Sequence, residues 1–226
     1  MVSSSTAFSI KYQGADLRDD VNSHLGEAKV THSFGKTFTG LTGIQLLTDS
    51  RGFNAWQPGI GFRWNATPLT IIQADAQYYI RGEEAVEVGG QLNSLNLRCK
   101  VRQVLTLSTA VLAEYGYYGA SGETVDFTSH TASLWLSHFL PTQTALHLNL
   151  RYYYNTAGIE SLAPSLEVAQ YVTWKTIMRV KYRWYGNRSD NVSLGESDLI
   201  IPDNLRSHAL SLQLNHEVST TVSLYG

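Results

Sequence analysis

Alternation of apolar and polar residues with period two, repeated along the whole chain, constrains this sequence more than any other feature. The stretch L-H-L-N-L-R-Y-Y-Y-N (Leu146–Asn155) is one example. Successive side chains of an extended chain leave opposite faces, so such a stretch is a β-strand with two unlike faces. Leu146, Leu148, Leu150, Tyr152 and Tyr154 share one face; His147, Asn149, Arg151 and Tyr153 share the other. The same pattern predicts strands near 7–14, 26–34, 38–48, 57–64, 69–80, 91–102, 106–118, 129–139, 145–154, 164–172, 176–186 and 206–217. A further one starts at 220 in T-T-V-S-L-Y-G. No segment has the periodicity of an amphipathic helix, and no apolar run reaches the length of a transmembrane helix.

The expected connections alternate in length. Short ones fall near Gly35–Thr37, Asn65–Pro68, Gln103–Leu105, Pro141–Thr144, Thr173–Lys175 and Val218–Ser219. Long ones fall near Ala15–Leu25, Asp49–Trp56, Arg81–Gly90, Gly119–Thr128, Asn155–Ala163 and Asn187–Leu205. In an up-and-down antiparallel sheet, alternate connections emerge at the same end. All long loops therefore gather at one end and all short turns at the other, the asymmetry of bacterial outer-membrane barrels.

Charge sorts by the same rule. Most of the 19 acidic residues lie in the long loops, including Asp16, Asp19, Asp20, Glu83, Glu84, Glu87, Asp190, Glu196 and Asp198. Lys11, Lys29, Arg63, Arg98, Lys100, Arg102, Arg151, Arg179, Lys181 and Arg183 sit within strands, on the more polar face. The opposite faces read Phe8-Ile10-Tyr12, Leu95-Leu97-Cys99-Val101 and Met178-Val180-Tyr182-Trp184. A soluble sandwich would bury that apolar face, whereas a membrane barrel shows it to lipid and encloses the charged one around water.

Aromatics choose between the two. They make up 11% of the chain, with 13 tyrosines against 7 phenylalanines, and tyrosine suits a boundary that is half wet. Tyr12, Tyr78, Tyr115, Tyr117, Tyr152, Tyr154, Tyr182 and Trp184 lie at strand ends beside long loops, while Trp64, Phe139 and Trp174 lie beside short turns. Two such bands are expected of a membrane barrel. Leu41, Leu47, Trp135 and Phe139 depart from the rule by falling on polar faces. The predicted fold is a single all-β domain over 1–226, an antiparallel up-and-down transmembrane β-barrel of about 12–14 strands. Closure takes an even number of strands, so the thirteenth segment implies either a tail or further chain past Gly226. The first residues, M-V-S-S-S-T-A-F, carry no secretion signal, so the expectation is a bacterial outer-membrane protein whose signal peptide has been removed.

From Thr144 onward the chain resembles a family of uncharacterised porin-like Gram-negative outer-membrane β-barrels, a domain of unknown function. The residues that carry the likeness are T-A-L-H-L-N-L-R-Y-Y-Y-N-T-A-G-I-E-S, P-S-L-E-V-A-Q-Y-V and R-V-K-Y-R-W-Y, within 144–186. The family's R-Y-Y…G-I hairpin is followed by strands ending R-Y-R-Y-Y. The resemblance implies a fold and an outer-membrane location, and it supplies no catalytic residues.

For function, the cationic face is the sharpest feature. Arg98-Lys100-Arg102 and Arg179-Lys181-Arg183 each put three positive charges on the enclosed side of one strand, and Arg63 and Arg151 join them. Strands five apart in a 12-strand barrel approach from nearly opposite walls. Guanidinium and ammonium groups along a narrow aqueous path favour small anionic solutes. The acids Glu27, Asp75, Glu114 and Glu167 share that face, and the alternative is a lumen plugged by paired charges. A plugged barrel would instead bind a partner protein or envelope component through its acidic loops, with lipid and lipopolysaccharide around it. A net charge of -2 argues against nucleic acid. No enzyme is expected: His24, His130 and His208 lie in or beside loops, with Asp126 near His130, but no catalytic spacing supports a hydrolase. No cofactor or metal is expected; the oxygen-rich loop Gly186–Asp198 lacks EF-hand spacing, and Cys99 faces lipid as an inert thiol.

Overall fold

A computed structural model describes residues 4–17, 21–50, 54–81, 92–122, 126–189, 204–217 and 223–225. All of its regular structure is β: β1 (Ser5–Leu17), β2 (Val21–Phe34), β3 (Phe38–Asp49), β4 (Asn54–Thr67), β5 (Thr70–Arg81), β6 (Leu92–Thr106), β7 (Thr109–Gly122), β8 (Asp126–Leu140), β9 (Thr144–Asn155), β10 (Ile159–Thr173), β11 (Thr176–Ser189), β12 (Arg206–Glu217) and the short β13 (Ser223–Tyr225). The strands are hydrogen-bonded in chain order, the up-and-down arrangement the alternation predicts. By contacts the chain forms two compact units, 1–101 with 115–130, and 102–114 with 131–226.

The strands run farther than the side-chain pattern indicates. β10 begins at Ile159 and β8 at Asp126, because backbone pairing across a hairpin satisfies N–H and C=O groups whether or not the side chains alternate. The acidic residues Asp19, Asp20, Glu83, Glu84, Glu87, Asp190, Glu196 and Asp198, and with them most of the oxygen-rich loop, lie outside the described residues.

Three two-residue turns share a sequence signature, T-x-x-T: Thr67–Thr70, Thr106–Thr109 and Thr173–Thr176. In each, the first threonine hydroxyl accepts the N–H two residues on, from Leu69 (3.1 Å), Ser108 (3.2 Å) and Lys175 (3.2 Å). This local bond competes with ladder pairing and starts the turn. The turn expected at Gln103–Leu105 therefore falls at Leu107-Ser108, where Thr106 supplies the hydroxyl. Two three-residue connections end in a left-handed residue, Gln143 (φ 60) and Gly158 (φ 77), as three-residue hairpin loops require. In the second, buried Asn155 accepts the N–H of Ile159 at 2.9 Å. Short turns also receive an N–H from a later strand: Asn65 to the Thr37 carbonyl, Phe139 to Ser108, Tyr171 to Gln143 and Glu217 to Lys175.

Strand register turns the alternating sequence into continuous faces. Across β9–β12, Leu148 lies opposite Leu166, Leu166 opposite Tyr182 and Tyr182 opposite Leu210. The next row is Leu146, Val168, Val180 and Leu212. This face is exposed among the described residues: Leu210 is 75% exposed and Leu212 69%, and on β1 Phe8 and Ile10 reach 75% and 84%. No large side chain among the described residues is fully buried, and the buried apolar residues are Ala55, Ala120 and Ala169. A soluble sandwich of this size would hide such leucines against a second sheet. Each one left in water forgoes about 1.5–3 kcal/mol of burial, so the face calls for apolar surroundings.

Candidate functional site

The opposite face is polar in both units. In the unit containing β9–β12, His147, Glu167, Lys181 and Ser211 form one row, and Asn149, Ser165, Arg183 and Ala209 form the next. The arginines sit against small partners on β10: Arg183 opposite Ser165, Arg179 opposite Ala169 and Arg151 opposite Ala163. Small neighbours leave long guanidinium side chains room to reach away from the sheet.

Arg151, Lys181 and Arg183 line a polar cavity of about 400 Å³ together with Glu114 and Asn149. Among the described residues, the Asn149 Nδ2 has no hydrogen-bond partner. A free amide donor beside three cations suits an anion, because each of these groups can only donate. Lys181 is 3.9 Å from Glu167, which offsets part of its charge. Alternation already puts Asn149 beside Arg151 on one face of β9. The small residues of β10 do not stand out in the sequence, and the cross-strand register brings Arg183 into the row of Asn149 across Ser165.

In the other unit, Arg98 donates from Nε to Asp75 Oδ1 at 3.1 Å, so this cation is matched. Gly61 opposes Asp75, and a Cβ there would lie 3.2 Å from the Asp75 Cβ. Arg63 leans toward Asn65 on its own strand, with Nε to Oδ1 at 3.4 Å. Lys11 opposes Glu27, and Gln57 donates to Gln77 at 2.9 Å. Lys100 continues the alternation from Arg98 along β6, and Arg102, the first residue of the unit that contains β9–β12, is exposed.

Apart from Phe139, the strand residues named for the expected aromatic bands fall on the apolar face by their alternation. Tyr12, Tyr78, Tyr115, Tyr152, Tyr154, Tyr182 and Trp64 are exposed, and Trp174 is exposed in its turn with the Lys175 ammonium 4.5 Å from the ring centroid. Tyr117 and Trp184 fold over glycines two residues on: a Cβ at Gly119 or Gly186 would run into their rings. Trp56, not among the expected girdle residues, shares the face of Ile60, Phe62 and Trp64 and is also exposed. Trp135 lines the polar cavity, as its position in the alternation predicts, and Phe139 packs edge-on to Tyr171. Cys99 is free and exposed on the apolar face. His24, His130 and His208 lie beside tyrosines of the apolar face, at Tyr12, Tyr115 and Tyr182.

Antiparallel strands in chain order, with one uncovered apolar face and one charged face, define the class of up-and-down transmembrane β-barrels. No family model and no curated protein matches the chain. Among solved structures it is similar to the NanC porin, at 9% identity and a TM-score of 0.48, over 94% of this chain and 99% of that one. It is also similar to the KdgM porin in complex with disordered oligogalacturonate (10% identity, TM-score 0.38, 80% of this chain and 90% of that one). A third is CdiB from Acinetobacter baumannii, at 9% identity and a TM-score of 0.48, over 97% of this chain and 54% of that one. Similarity at these levels assigns no residue a role.

Proposed function

We propose that the chain is a passive, porin-like channel of a Gram-negative outer membrane that favours small anionic solutes. The observation that carries this reading is the polar cavity, where Arg151, Lys181 and Arg183 meet an Asn149 amide nitrogen that has no hydrogen-bond partner among the described residues. Arginine stays charged at every physiological pH, so its pull on an anion is permanent. Glu114 beside them and the pair Lys181–Glu167 temper that field so that a solute can leave as well as enter. The apolar face then meets phospholipid and lipopolysaccharide.

Planar-bilayer recording tests the proposal. Open steps with a reversal potential on the anion side are expected, and the double substitution Arg151→Glu/Arg183→Glu moves it to the cation side. A folded, inserted chain that passes no current overturns the channel and leaves the reading in which paired charges plug the interior and the acidic loops bind a partner.

A further inference from the structure

Six of the chain's 7 histidines follow one rule. On β2, β8 and β12 a histidine recurs after eight residues: His24 and His32, His130 and His138, His208 and His216. The preceding strand of each hairpin carries threonine and tyrosine six residues apart: Thr6 and Tyr12, Thr109 and Tyr115, Thr176 and Tyr182. The ladder joins them. The tyrosine hydroxyl meets Nδ1 of the first histidine at 2.7, 2.7 and 2.6 Å. The threonine hydroxyl meets Nδ1 of the second at 2.7, 2.8 and 2.8 Å. The hairpin β9–β10 repeats the geometry with other acceptors, Tyr152 donating to Glu160 at 2.8 Å and Thr144 to Gln170 at 2.5 Å.

Between the two histidines of each strand the same face is apolar and uncharged: Gly26, Ala28 and Val30 on β2, and Leu210, Leu212 and Leu214 on β12. Eight residues of strand cover about 27 Å, which a tilt of 35–45° reduces to roughly 20 Å. That height approaches the roughly 25 Å apolar band of a membrane barrel. None of the six histidines is buried.

We propose that these rings are two sets of lipid-headgroup contacts, one at each membrane boundary, which take phospholipid phosphate and set the depth of the protein in the bilayer. The inference rests on the membrane reading above and goes beyond the channel. A hydroxyl that donates to Nδ1 places the ring proton on Nε2, the nitrogen on the other side of the ring. At a boundary where the apolar chains end, the nearest strong acceptor is a phosphate oxygen. The hydroxyl contact holds each ring by its Nδ1 before lipid arrives.

The test uses the whole chain, labelled with 15N-histidine, in vesicles of phosphatidylethanolamine and phosphatidylglycerol, read by solid-state 15N–31P dipolar recoupling. Nε2 signals of the rim histidines are expected to dephase against phosphorus. His147, on the polar face and paired with Ser137 at 2.8 Å, serves as an internal control that does not. His24→Phe/His130→Phe/His208→Phe is expected to remove about half of the dephasing; since this variant could fail to fold, the unaltered chain alone is decisive. A chain that floats with the vesicles and shows no phosphorus contact, or equal contact at His147, overturns the inference and leaves the membrane reading standing. A chain that does not float overturns both.

Discussion

Leu212 lies midway between His208 and His216 on β12, opposite Val180 and 69% exposed. If the apolar face meets lipid and the histidines mark its limits, this position is near the bilayer midplane. Arginine at that depth costs about 2–4 kcal/mol, falling to about 0–1 kcal/mol near the interface. Leu212→Arg should therefore shift the folding equilibrium by roughly 30- to 700-fold, at about 1.4 kcal/mol per decade. In water the same change would place a charge on an already exposed site and alter stability by within about 0.5 kcal/mol. The neighbour Ser211 belongs to the polar face, in register with Lys181, and Ser211→Arg is the matched control with an expected change below about 1 kcal/mol. Urea unfolding of the vesicle-inserted chain, followed by tryptophan emission, measures all of these. An unaffected midpoint in Leu212→Arg, or an equal loss in Ser211→Arg, refutes the assignment of the faces.

Other consequences are as direct. Asp75→Asn releases Arg98 from its 3.1 Å partner and should raise the anion-to-cation permeability ratio in bilayer recordings. Cys99, exposed on the apolar face, should resist a charged maleimide in vesicles and react once urea unfolds the chain, as mass spectrometry would show. Thr173→Val removes the hydroxyl that accepts the Lys175 N–H and meets Thr176 at 2.9 Å, and should cost about 0.5–1.5 kcal/mol in the same unfolding assay. Gly186→Ala forces the Trp184 ring off its present site, which a shift in its emission maximum would report.

What could be read without coordinates was whatever depends on neighbours one or two residues away. Alternation at Leu146–Tyr154 assigns each side chain to a face, and the accumulation of Arg179, Lys181 and Arg183 on one of them follows at once. Turn positions were less legible. Thr106 displaces the expected turn by bonding Ser108, a signal visible in the T-x-x-T pattern of L-T-L-S-T-A.

The sequence by itself determined an all-β chain of long strands with two unlike faces, because side-chain direction along a strand is a local property of the backbone. Register is not local, and it decided the rest. It brought Arg98 to Asp75, Lys181 to Glu167, and Asn149 into one row with Arg183. It also turned apparently scattered histidines into paired ones, joining Tyr12 to His24 and Thr176 to His216 across as many as 40 residues of chain. The structure further decided that the apolar face stays uncovered, since whether a leucine meets another sheet or lipid depends on what packs over it and leaves no trace in the alternation.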